Sequence, residues 1–298
     1  MNLLITGAWK HTPEQISALS AMGYSVIEMP DERGDLPCDP ATVDAAICNG
    51  LFLYHPIEDF TALKLVQLTS AGLDRVPLAY MQERGIYVYS ARGVYSVPMA
   101  EFALSAVLHF YKESAFFAAN QQERRWEKSR SLRELWGKTV CIVGCGSVGT
   151  ECAKRFAAMS CEVVGIDAFP RADESYSAML PVSALRTALL RADVVILTLP
   201  LTEETYHVMG QAELEAIPDG GVLVNIARGG VLDTEALMAE TRSGRLYAAL
   251  DVFEEEPLPA NHPLWDIPNV TVTPHNSFVG GGNARRLWAI IQKNLQRN

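Results

Sequence analysis

The 298-residue sequence has no uninterrupted apolar run of the length that a membrane-spanning helix needs, which is about 20 residues. Its N-terminus, MNLLITGAWK, is not typical of a secretory signal peptide and instead predicts a first β-strand. We therefore expect a protein that is neither embedded in a membrane nor exported.

The sequence also lacks an excess of positive charge. Its 25 Lys and Arg residues face 35 Asp and Glu residues, which gives a formal net charge of -10 and an isoelectric point near 5.1. Binding to nucleic acid depends on cationic side chains that replace condensed counterions. The composition therefore argues against a nucleic-acid partner.

Paired metal-ligand motifs are missing as well. The sequence has six cysteines but no CxxC pair and no histidine at a zinc-like spacing from one, so we predict no metal site. Most of the cysteines fall in apolar runs and are expected to be reduced core residues, which favours the cytoplasm. Cys145 lies in a glycine-rich loop, where a reactive thiol is the alternative to a small apolar residue.

Alternating apolar and helical patterns predict two α/β domains. Between Thr139 and Pro274, six continuous apolar runs alternate with helical patterns or loops, as in a parallel sheet that is covered on both faces. The first part of the chain repeats this pattern more weakly with five runs. We therefore predict a doubly wound dinucleotide-binding domain from TVCIV, EVVGI, DVVILTL, GVLVNI, YAALDV and NVTVT, and a smaller α/β domain from NLLITG, YSVIEM, AAIC, LKLVQL and IYVYS.

Two helical segments bear on the domain boundaries. The segment from about Val97 to Glu127 contains apolar positions at helical spacing and predicts one long connecting helix. A final helix, from about Asn283 to Asn298, follows a sheet that already has its six strands. We expect the chain to cross back after His275, so that residues 1–97 and 276–298 form one discontinuous domain and residues 98–275 form the other.

A glycine-rich hexamer links the strand TVCIV to a helical pattern. Gly144 can make the tight turn, Gly146 allows close approach of a pyrophosphate, and Gly149 allows close packing of the helix. The backbone N–H groups of Ser147 and Val148 are expected to face the phosphates. Because the hexamer lies between a strand and a helix, we predict a dinucleotide site.

The next strand, EVVGI, ends in Asp167, which lies 18 residues after Gly149. An acidic residue near this offset can accept hydrogen bonds from the adenine-ribose hydroxyls, although it could also simply cap the strand end. Arg171 could accommodate a 2′-phosphate, but the Asp167 carboxylate would repel one. The sequence therefore favours NAD as cofactor over NADP.

Three polar residues follow apolar runs near the end of the chain. Arg228 could bind a substrate carboxylate bidentately, and His275 could exchange a proton with a substrate oxygen. One glutamate of the run 254–256 could support the histidine, but the residues alone leave open which one. A loop cation, a solvated turn and a packing histidine are the alternatives. We expect surface or packing roles for the remaining histidines, which are His11, His55, His109, His207 and His262.

The chain resembles the D-isomer-specific 2-hydroxyacid dehydrogenase family over nearly its whole length. The resemblance implies a Rossmann NAD-binding domain, a smaller discontinuous flavodoxin-like substrate domain, and a homodimer formed through the cofactor domains. The matching segments are TSAGLDRVPLAYMQERGIYV, SVPMAEFALSAVL, LTLPLTEETYHVMG, VLVNIARGGVLDTEAL, AALDVFEEEPL and TVTPHNSF.

The resemblance also implies roles for individual residues. Arg228 corresponds to the arginine that binds the substrate carboxylate, and Glu256, immediately before Pro257, corresponds to the partner of His275. The backbone of Ser70, Ala71 and Gly72 is implied to hold the substrate carboxylate, and Asp251 to contact the nicotinamide carboxamide. Further cofactor-binding positions implied in this way are Leu199, Pro200, Thr205 and Ala227.

The resemblance predicts an NAD-dependent enzyme that interconverts a 2-oxo acid and an (R)-2-hydroxy acid. Two positions depart from the family pattern, because Ser90 replaces a frequent asparagine and Thr198 a frequent histidine. Narrower enzyme alternatives are a glyoxylate or hydroxypyruvate reductase and a 3-phosphoglycerate dehydrogenase. A corepressor-like protein that senses NADH is the alternative from another functional class.

Overall fold

The computed structural model describes residues 1–296. By its internal contacts the chain divides into two units, one made of Met1–Tyr95 with the residues from Gly280 onward, and one made of Ser96–Val279. Each unit has its own parallel sheet. Within residues 1–296, no helix has both the length and the apolar character needed to cross a bilayer.

The first unit contains a five-stranded sheet in the order β2-β1-β3-β4-β5. All of its pairings are parallel, and this order is that of the flavodoxin-like fold. The five apolar runs expected in this region each form a strand. Its elements are β1 (Asn2–Thr6), α1 (Pro13–Ala21), β2 (Ser25–Met29), β3 (Ala45–Cys48), β4 (Leu65–Leu68), α2 (Leu78–Glu83) and β5 (Tyr87–Tyr89).

The second unit contains a seven-stranded parallel sheet in the order β12-β11-β10-β9-β6-β7-β8. The order reverses between β6 and β9, which makes the crevice outside their carboxyl ends the expected ligand site of a Rossmann fold. Its elements are α3 (Ser96–Tyr111), α4 (Ser114–Gln122), β6 (Thr139–Val143), α5 (Ser147–Ala158), β7 (Glu162–Asp167), β8 (Ala178–Pro181), α6 (Leu185–Leu189), β9 (Val194–Leu197), α7 (Gln211–Ala216), β10 (Val222–Asn225), α8 (Thr234–Arg242), β11 (Tyr247–Leu250) and β12 (Val270–Val272).

The sequence prediction missed one strand of this sheet. Six strands were expected, but β8 adds a seventh at the edge beside β7. Its sequence, AMLP, is exposed at both ends and contains no β-branched or aromatic residue, so it lacks the composition typical of a strand. The central strands β9 and β10 are buried at every position, which explains why their continuous apolar runs were recognised.

The expected single helix over residues 97–127 is wrong, because two helices occupy this segment. The backbone of Glu113 between them has a left-handed conformation, with φ of 49°, which interrupts the helical hydrogen bonding. Its carboxylate accepts a hydrogen bond from Ser131 Oγ at 2.6 Å. The break contains neither glycine nor proline, so the sequence carries no simple signal for it.

The last helix, α9 (Asn283–Leu295), packs on the sheet of the first unit. Its buried residues Leu287, Ile291 and Leu295 share an apolar core with Leu3 and Ile5 of β1. Burial of these side chains accounts for the attachment of a helix so distant in sequence. Residues 297 and 298 of the expected helix lie outside the described part of the chain.

Candidate active site

The carboxyl ends of the strands in the second unit bring together the polar residues singled out in the sequence. Because all strands of this sheet are parallel, the loops that follow β6, β9, β10, β11 and β12 lie along one edge. These loops carry the glycine hexamer, Thr198, Arg228, Glu256 and His275 respectively. The edge therefore holds both the candidate cofactor loop and the candidate acid–base residues.

Glu256 and His275 form a side-chain pair. Nδ1 of His275 lies 2.8 Å from Oε2 of Glu256, and Oε1 of Glu256 accepts a hydrogen bond from the backbone N–H of Phe253 at 3.0 Å. A carboxylate in this position orients the imidazole ring and fixes which of its two nitrogens is engaged. Because Nδ1 is engaged, Nε2 is the nitrogen that can exchange a proton with a substrate oxygen.

Asp251 organises the loop that carries His275. Its carboxylate is fully buried and accepts hydrogen bonds from Thr273 Oγ1 at 2.6 Å and from the backbone N–H groups of Asn276 and Ser277 at 2.8 Å each. Charge-assisted bonds of this kind are stronger than bonds between neutral groups. The structure thus gives Asp251 a structural role, and the implied contact with the nicotinamide stays a prediction.

Arg228 lies in a loop that packs directly on the segment before Glu256. A side chain at Gly229 would place its Cβ 1.9 Å from the backbone carbon of Phe253, so only glycine fits there. Asn225, at the end of β10, fixes the loop by accepting from the N–H of Ala227 at 3.0 Å and by donating to the carbonyl of Arg228 at 3.1 Å. The Arg228 loop is therefore held in direct contact with the segment that leads to Glu256.

The glycine hexamer has the geometry of a phosphate-binding loop. Gly144 has φ of +93°, and a Cβ there would lie 2.6 Å from the backbone nitrogen of Leu199. A Cβ on Gly149 would lie 2.2 Å from the carbonyl oxygen of Gly144, so the helix α5 packs closely against the strand end. Among the described residues no side chain caps this helix, which begins at Ser147. Its first N–H groups fit a pyrophosphate.

Thr198, a departure from the family pattern, is tied to the glycine loop. Its hydroxyl donates to the carbonyl oxygen of Gly144 at 2.5 Å. The following residue, Leu199, is buried, whereas Pro200 is exposed and accepts a hydrogen bond from Thr205 Oγ1 at 2.7 Å. Sequence reasoning missed the role of Thr198, because its partner lies in a loop about fifty residues earlier and is adjacent only through the strand order.

Asp167 lies beside the glycine loop. Its Oδ2 accepts from the backbone N–H of Cys145 at 2.7 Å, and its Oδ1 accepts from that of Phe169 at 2.9 Å. The Arg171 guanidinium donates to the carbonyl oxygen of Cys145 at 2.8 Å. Asp167 and Arg171 thus bind the backbone N–H and the backbone carbonyl of the same residue, Cys145, and this fixes the carboxylate beside the loop.

Cys145 is a buried thiol within this loop. Burial raises the pKa of Cys145 to about 11, so the sulfur is protonated at neutral pH. A nucleophilic cysteine must form the thiolate. The geometry therefore favours the small apolar residue over the reactive thiol.

The loop Ser70-Ala71-Gly72 follows β4 in the first unit. Ser70 Oγ donates to the carbonyl of Gly72 at 3.0 Å, and the N–H of Ala91 donates to the carbonyl of Ser70 at 2.8 Å. Within residues 1–296, the backbone N–H groups of Ala71 and Gly72 make no hydrogen bond. Two such donors at a strand end suit an anionic ligand.

His207 makes a packing contact, which is one of the roles expected of it, and it also lies close to a carboxylate. Its ring stacks on Tyr206 at a centroid distance of 4.0 Å, and its Nε2 lies 3.3 Å from Oε1 of Glu254. The sequence carries no signal that pairs His207 with Glu254, because the two residues lie in loops after different strands. Only the parallel order of those strands brings them together.

Comparisons with known proteins identify similar sequences and a similar structure. Residues 104–277 match the family described as D-isomer specific 2-hydroxyacid dehydrogenase, NAD binding domain. Glyoxylate reductase from Thermofilum pendens is 34% identical over 240 residues, which cover 78% of this chain and 71% of that protein. Hydroxypyruvate reductase from Thermotoga maritima is 37% identical over 227 residues, which cover 74% of this chain and 72% of that protein.

A solved structure is similar over both units. It is a D-isomer specific 2-hydroxyacid dehydrogenase from Xanthobacter autotrophicus Py2 in complex with NADPH and MES. Its TM-score is 0.82 at 32% sequence identity, and the match covers 99% of this chain and 94% of that one.

Proposed function

The chain belongs to the D-isomer-specific 2-hydroxyacid dehydrogenase family, and from this premise we propose that Arg228, Glu256 and His275 catalyse the interconversion of a 2-oxo acid and an (R)-2-hydroxy acid. The observation that carries the proposal is the 2.8 Å pair of His275 and Glu256 at the same sheet edge as a glycine loop that fits a dinucleotide. The relatives compared above are reductases and dehydrogenases, and none of them favours the corepressor-like alternative.

In the reducing direction, a nicotinamide cofactor held by the glycine loop would supply the hydride that reduces the carbonyl carbon. Arg228 binds the substrate carboxylate through two parallel hydrogen bonds and holds the carbonyl in place. His275 gives the proton on Nε2 to the carbonyl oxygen, so that hydride and proton together yield the hydroxy acid. Glu256 stabilises the charged imidazole before the transfer and keeps the ring oriented.

The other implied residues have supporting roles in this proposal. The N–H groups of Ala71 and Gly72, which make no hydrogen bond within residues 1–296, are proposed to bind the substrate carboxylate, and Ser70 shapes their loop. The glycine hexamer from Gly144 to Gly149 would hold the dinucleotide, and Leu199, Pro200, Thr205, Ala227 and Asp251 would complete that site.

The cofactor in this proposal is NAD. The Asp167 carboxylate repels a 2′-phosphate and accepts hydrogen bonds from ribose hydroxyls, while Arg171 is engaged with the loop carbonyl. We expect kcat/KM to favour NADH over NADPH by at least about tenfold, which corresponds to about 1.4 kcal/mol. Asp167→Ser should narrow that ratio, and a wild-type preference for NADPH would contradict the assignment.

The substrate is a small 2-oxo acid such as glyoxylate or hydroxypyruvate, in line with the two reductases of similar sequence. The test is NADH oxidation measured with a panel of 2-oxo acids that includes glyoxylate, hydroxypyruvate, pyruvate and 3-phosphohydroxypyruvate. Turnover with one of the first two is the expected result. Tight NADH binding without turnover of any acid would instead support the corepressor-like function.

The quaternary state in this proposal is a homodimer formed through the second unit. A cavity of about 640 Å³ there is lined by Phe117 and by Trp126, which is 96% exposed. Exposed aromatic surface of this kind is suited to burial against another chain. Light scattering should give twice the 32.7 kDa chain mass, and a monomer would contradict the proposal.

The cellular location in this proposal is the cytoplasm. All six cysteines are free thiols in the structure, which suits a reducing compartment. Fractionation of cells that express the protein is the direct test, and recovery from an oxidising compartment would contradict the proposal.

A further inference from the structure

A second histidine–glutamate pair lies at the same edge of the sheet as Glu256 and His275. Nε2 of His207 is buried and has no hydrogen-bond partner within residues 1–296, but it lies at ion-pair distance, 3.3 Å, from Oε1 of Glu254. Glu254 is only two residues before Glu256. The two pairs are therefore joined by a short stretch of backbone.

The Glu254 carboxylate accepts hydrogen bonds from two other segments of the chain. Besides His207, Thr234 Oγ1 donates to its Oε1 at 3.3 Å, and the hydroxyl of Tyr206 donates to its Oε2 at 3.4 Å. The negative charge of Glu254 raises the pKa of Tyr206, so this phenol remains a donor. Glu254 thus links the turn after β11 to the loop after β9 and to the start of α8.

The loop after β9 is in turn attached to the loop that carries Arg228. The backbone N–H of His207 donates to the carbonyl of Gly230 at 2.8 Å, and a Cβ on Gly230 would lie 3.4 Å from the Tyr206 ring. His207 itself has a left-handed backbone with φ of 48°, which costs energy in a residue other than glycine. The surrounding contacts hold it in this conformation.

Gly229 completes the connection. A Cβ at this position would lie 2.2 Å from the backbone nitrogen of Glu254, so the Arg228 loop packs against the very peptide that begins the glutamate turn. Arg228, which is proposed to bind the substrate carboxylate, lies on one side of this contact. The turn that leads to Glu256, the proposed partner of His275, lies on the other side. Gly229 thus brings the Arg228 loop into direct contact with the backbone of Glu254.

We infer that Glu254 and His207 are positioning residues, which hold the Glu256 turn against the Arg228 loop so that His275 is aligned with the bound substrate. Neither residue is the proton donor in this scheme. Their effect passes through Glu256, so the inference rests on the proposed role of that residue. Small misplacements of a reacting group cost as much as about 10²-fold in rate, so such a contact can matter without touching the substrate.

The test begins with Glu254→Gln, which keeps the size of the side chain and removes its charge. We expect kcat/KM for the 2-oxo acid to fall by between about 10- and 100-fold, mainly through kcat, while the Kd for NADH is unchanged. Glu255→Gln is the matched control, because Glu255 makes no hydrogen bond or ion pair within residues 1–296. It should leave kcat/KM within about twofold.

A double-mutant cycle with Glu256→Gln separates positioning from a general loss of stability. If Glu254 acts through Glu256, adding Glu254→Gln to the Glu256→Gln enzyme should lower kcat/KM by less than about twofold. A further loss equal to that in the wild-type background would overturn the inference. A second cycle uses His207→Asn, because asparagine tolerates the left-handed backbone at this position. It must show the same non-additivity, and it keeps the inference testable if Glu254→Gln folds poorly.

The outcomes also separate this inference from the proposed function. If Glu256→Gln alone leaves kcat/KM unchanged, the role proposed for Glu256 is wrong, and the positioning inference fails with it. If Glu256→Gln lowers kcat/KM while Glu254→Gln and His207→Asn leave it within about twofold, only the positioning inference is overturned.

Discussion

The backbone N–H of His275 donates to the backbone carbonyl of Asp251 at 2.8 Å. This bond joins the loop after β12 to the end of β11 and is supported by the buried Asp251 carboxylate, which binds the next two N–H groups of the same loop. His275 adopts a left-handed backbone with φ of 49° within this network. Asp251 therefore determines where the imidazole lies.

Asp251→Asn should destabilise this loop. In the variant, the side-chain NH2 group would face a backbone N–H group that now donates to the carboxylate, so one hydrogen bond would be lost. Loss of a buried hydrogen bond to a charged group lowers the free energy of unfolding by about 1.5–3 kcal/mol. We expect a lower melting temperature by differential scanning fluorimetry and a lower kcat. Asp266→Asn is the control, because Asp266 is exposed and makes no hydrogen bond or ion pair within residues 1–296. Equal melting temperatures for the two variants would contradict the role of Asp251.

Gly144→Ala should abolish NADH binding and lower stability. The new methyl group would lie 2.6 Å from the Leu199 nitrogen on a backbone with φ of +93°. Strain of this kind costs on the order of 1–3 kcal/mol, and its relief would move the loop. Fluorescence titration with NADH measures the loss of affinity.

The control for this substitution is Gly281→Ala, since a Cβ on Gly281 meets no atom within 4 Å. It should retain wild-type affinity for NADH and wild-type stability. If Gly144→Ala binds NADH as tightly as Gly281→Ala, the glycine loop is not the cofactor site.

Much of the fold could be predicted from the sequence, because buried parallel strands are continuous apolar runs. Val194–Leu197 and Val222–Asn225 are examples, and each has every residue buried. The edge strand Ala178–Pro181 has two exposed ends and no β-branched residue, so its short apolar run was not recognised as a strand. The helix break at Glu113 was missed for a related reason, because tertiary contacts rather than glycine or proline stabilise its backbone.

The site was predictable where local sequence carries the chemistry. The glycine hexamer is one such case, because its backbone geometry depends on the absence of side chains. The residues left Glu254, Glu255 and Glu256 equivalent, and only the family resemblance and then the contact with His275 distinguished them. Thr198 and His207 could not be assigned, since their partners come from loops that the strand order brings close.

Arg228→Lys should raise the KM for the 2-oxo acid with little effect on NADH affinity. A lysine retains the charge but loses the two parallel hydrogen bonds to a carboxylate, which are worth about 1–3 kcal/mol. We expect kcat/KM to fall by about 10- to 100-fold in steady-state assays. An unchanged KM for the acid would show that another residue binds the carboxylate.

Buried thiols should make the protein less stable at alkaline pH. Burial raises the pKa of Cys152 to about 12 and that of Cys161 to about 11, above the value of about 8.5 for an unfolded chain. A thiol with a raised pKa contributes full stability below about pH 8.5, and this contribution is lost as the pH rises towards the folded value. The loss is about 1.4 kcal/mol per pH unit for each such thiol.

Urea unfolding at pH 8, 9 and 10 measures this dependence. Cys152→Ala should reduce the slope of unfolding free energy against pH by the contribution of one thiol. Cys38→Ala is the comparison, because Cys38 is only partly buried and should change the slope less. Equal slopes for wild type and Cys152→Ala would contradict the assignment.

The proton transfer by His275 is tested most directly by the single-turnover rate of NADH oxidation in His275→Gln. Enzyme preloaded with NADH is mixed with the preferred 2-oxo acid at pH 7 in a stopped-flow instrument, and NADH binding is measured separately by fluorescence. The account predicts a rate lower by about 10²- to 10⁴-fold with NADH affinity unchanged. A single-turnover rate within a few-fold of the wild type would contradict it.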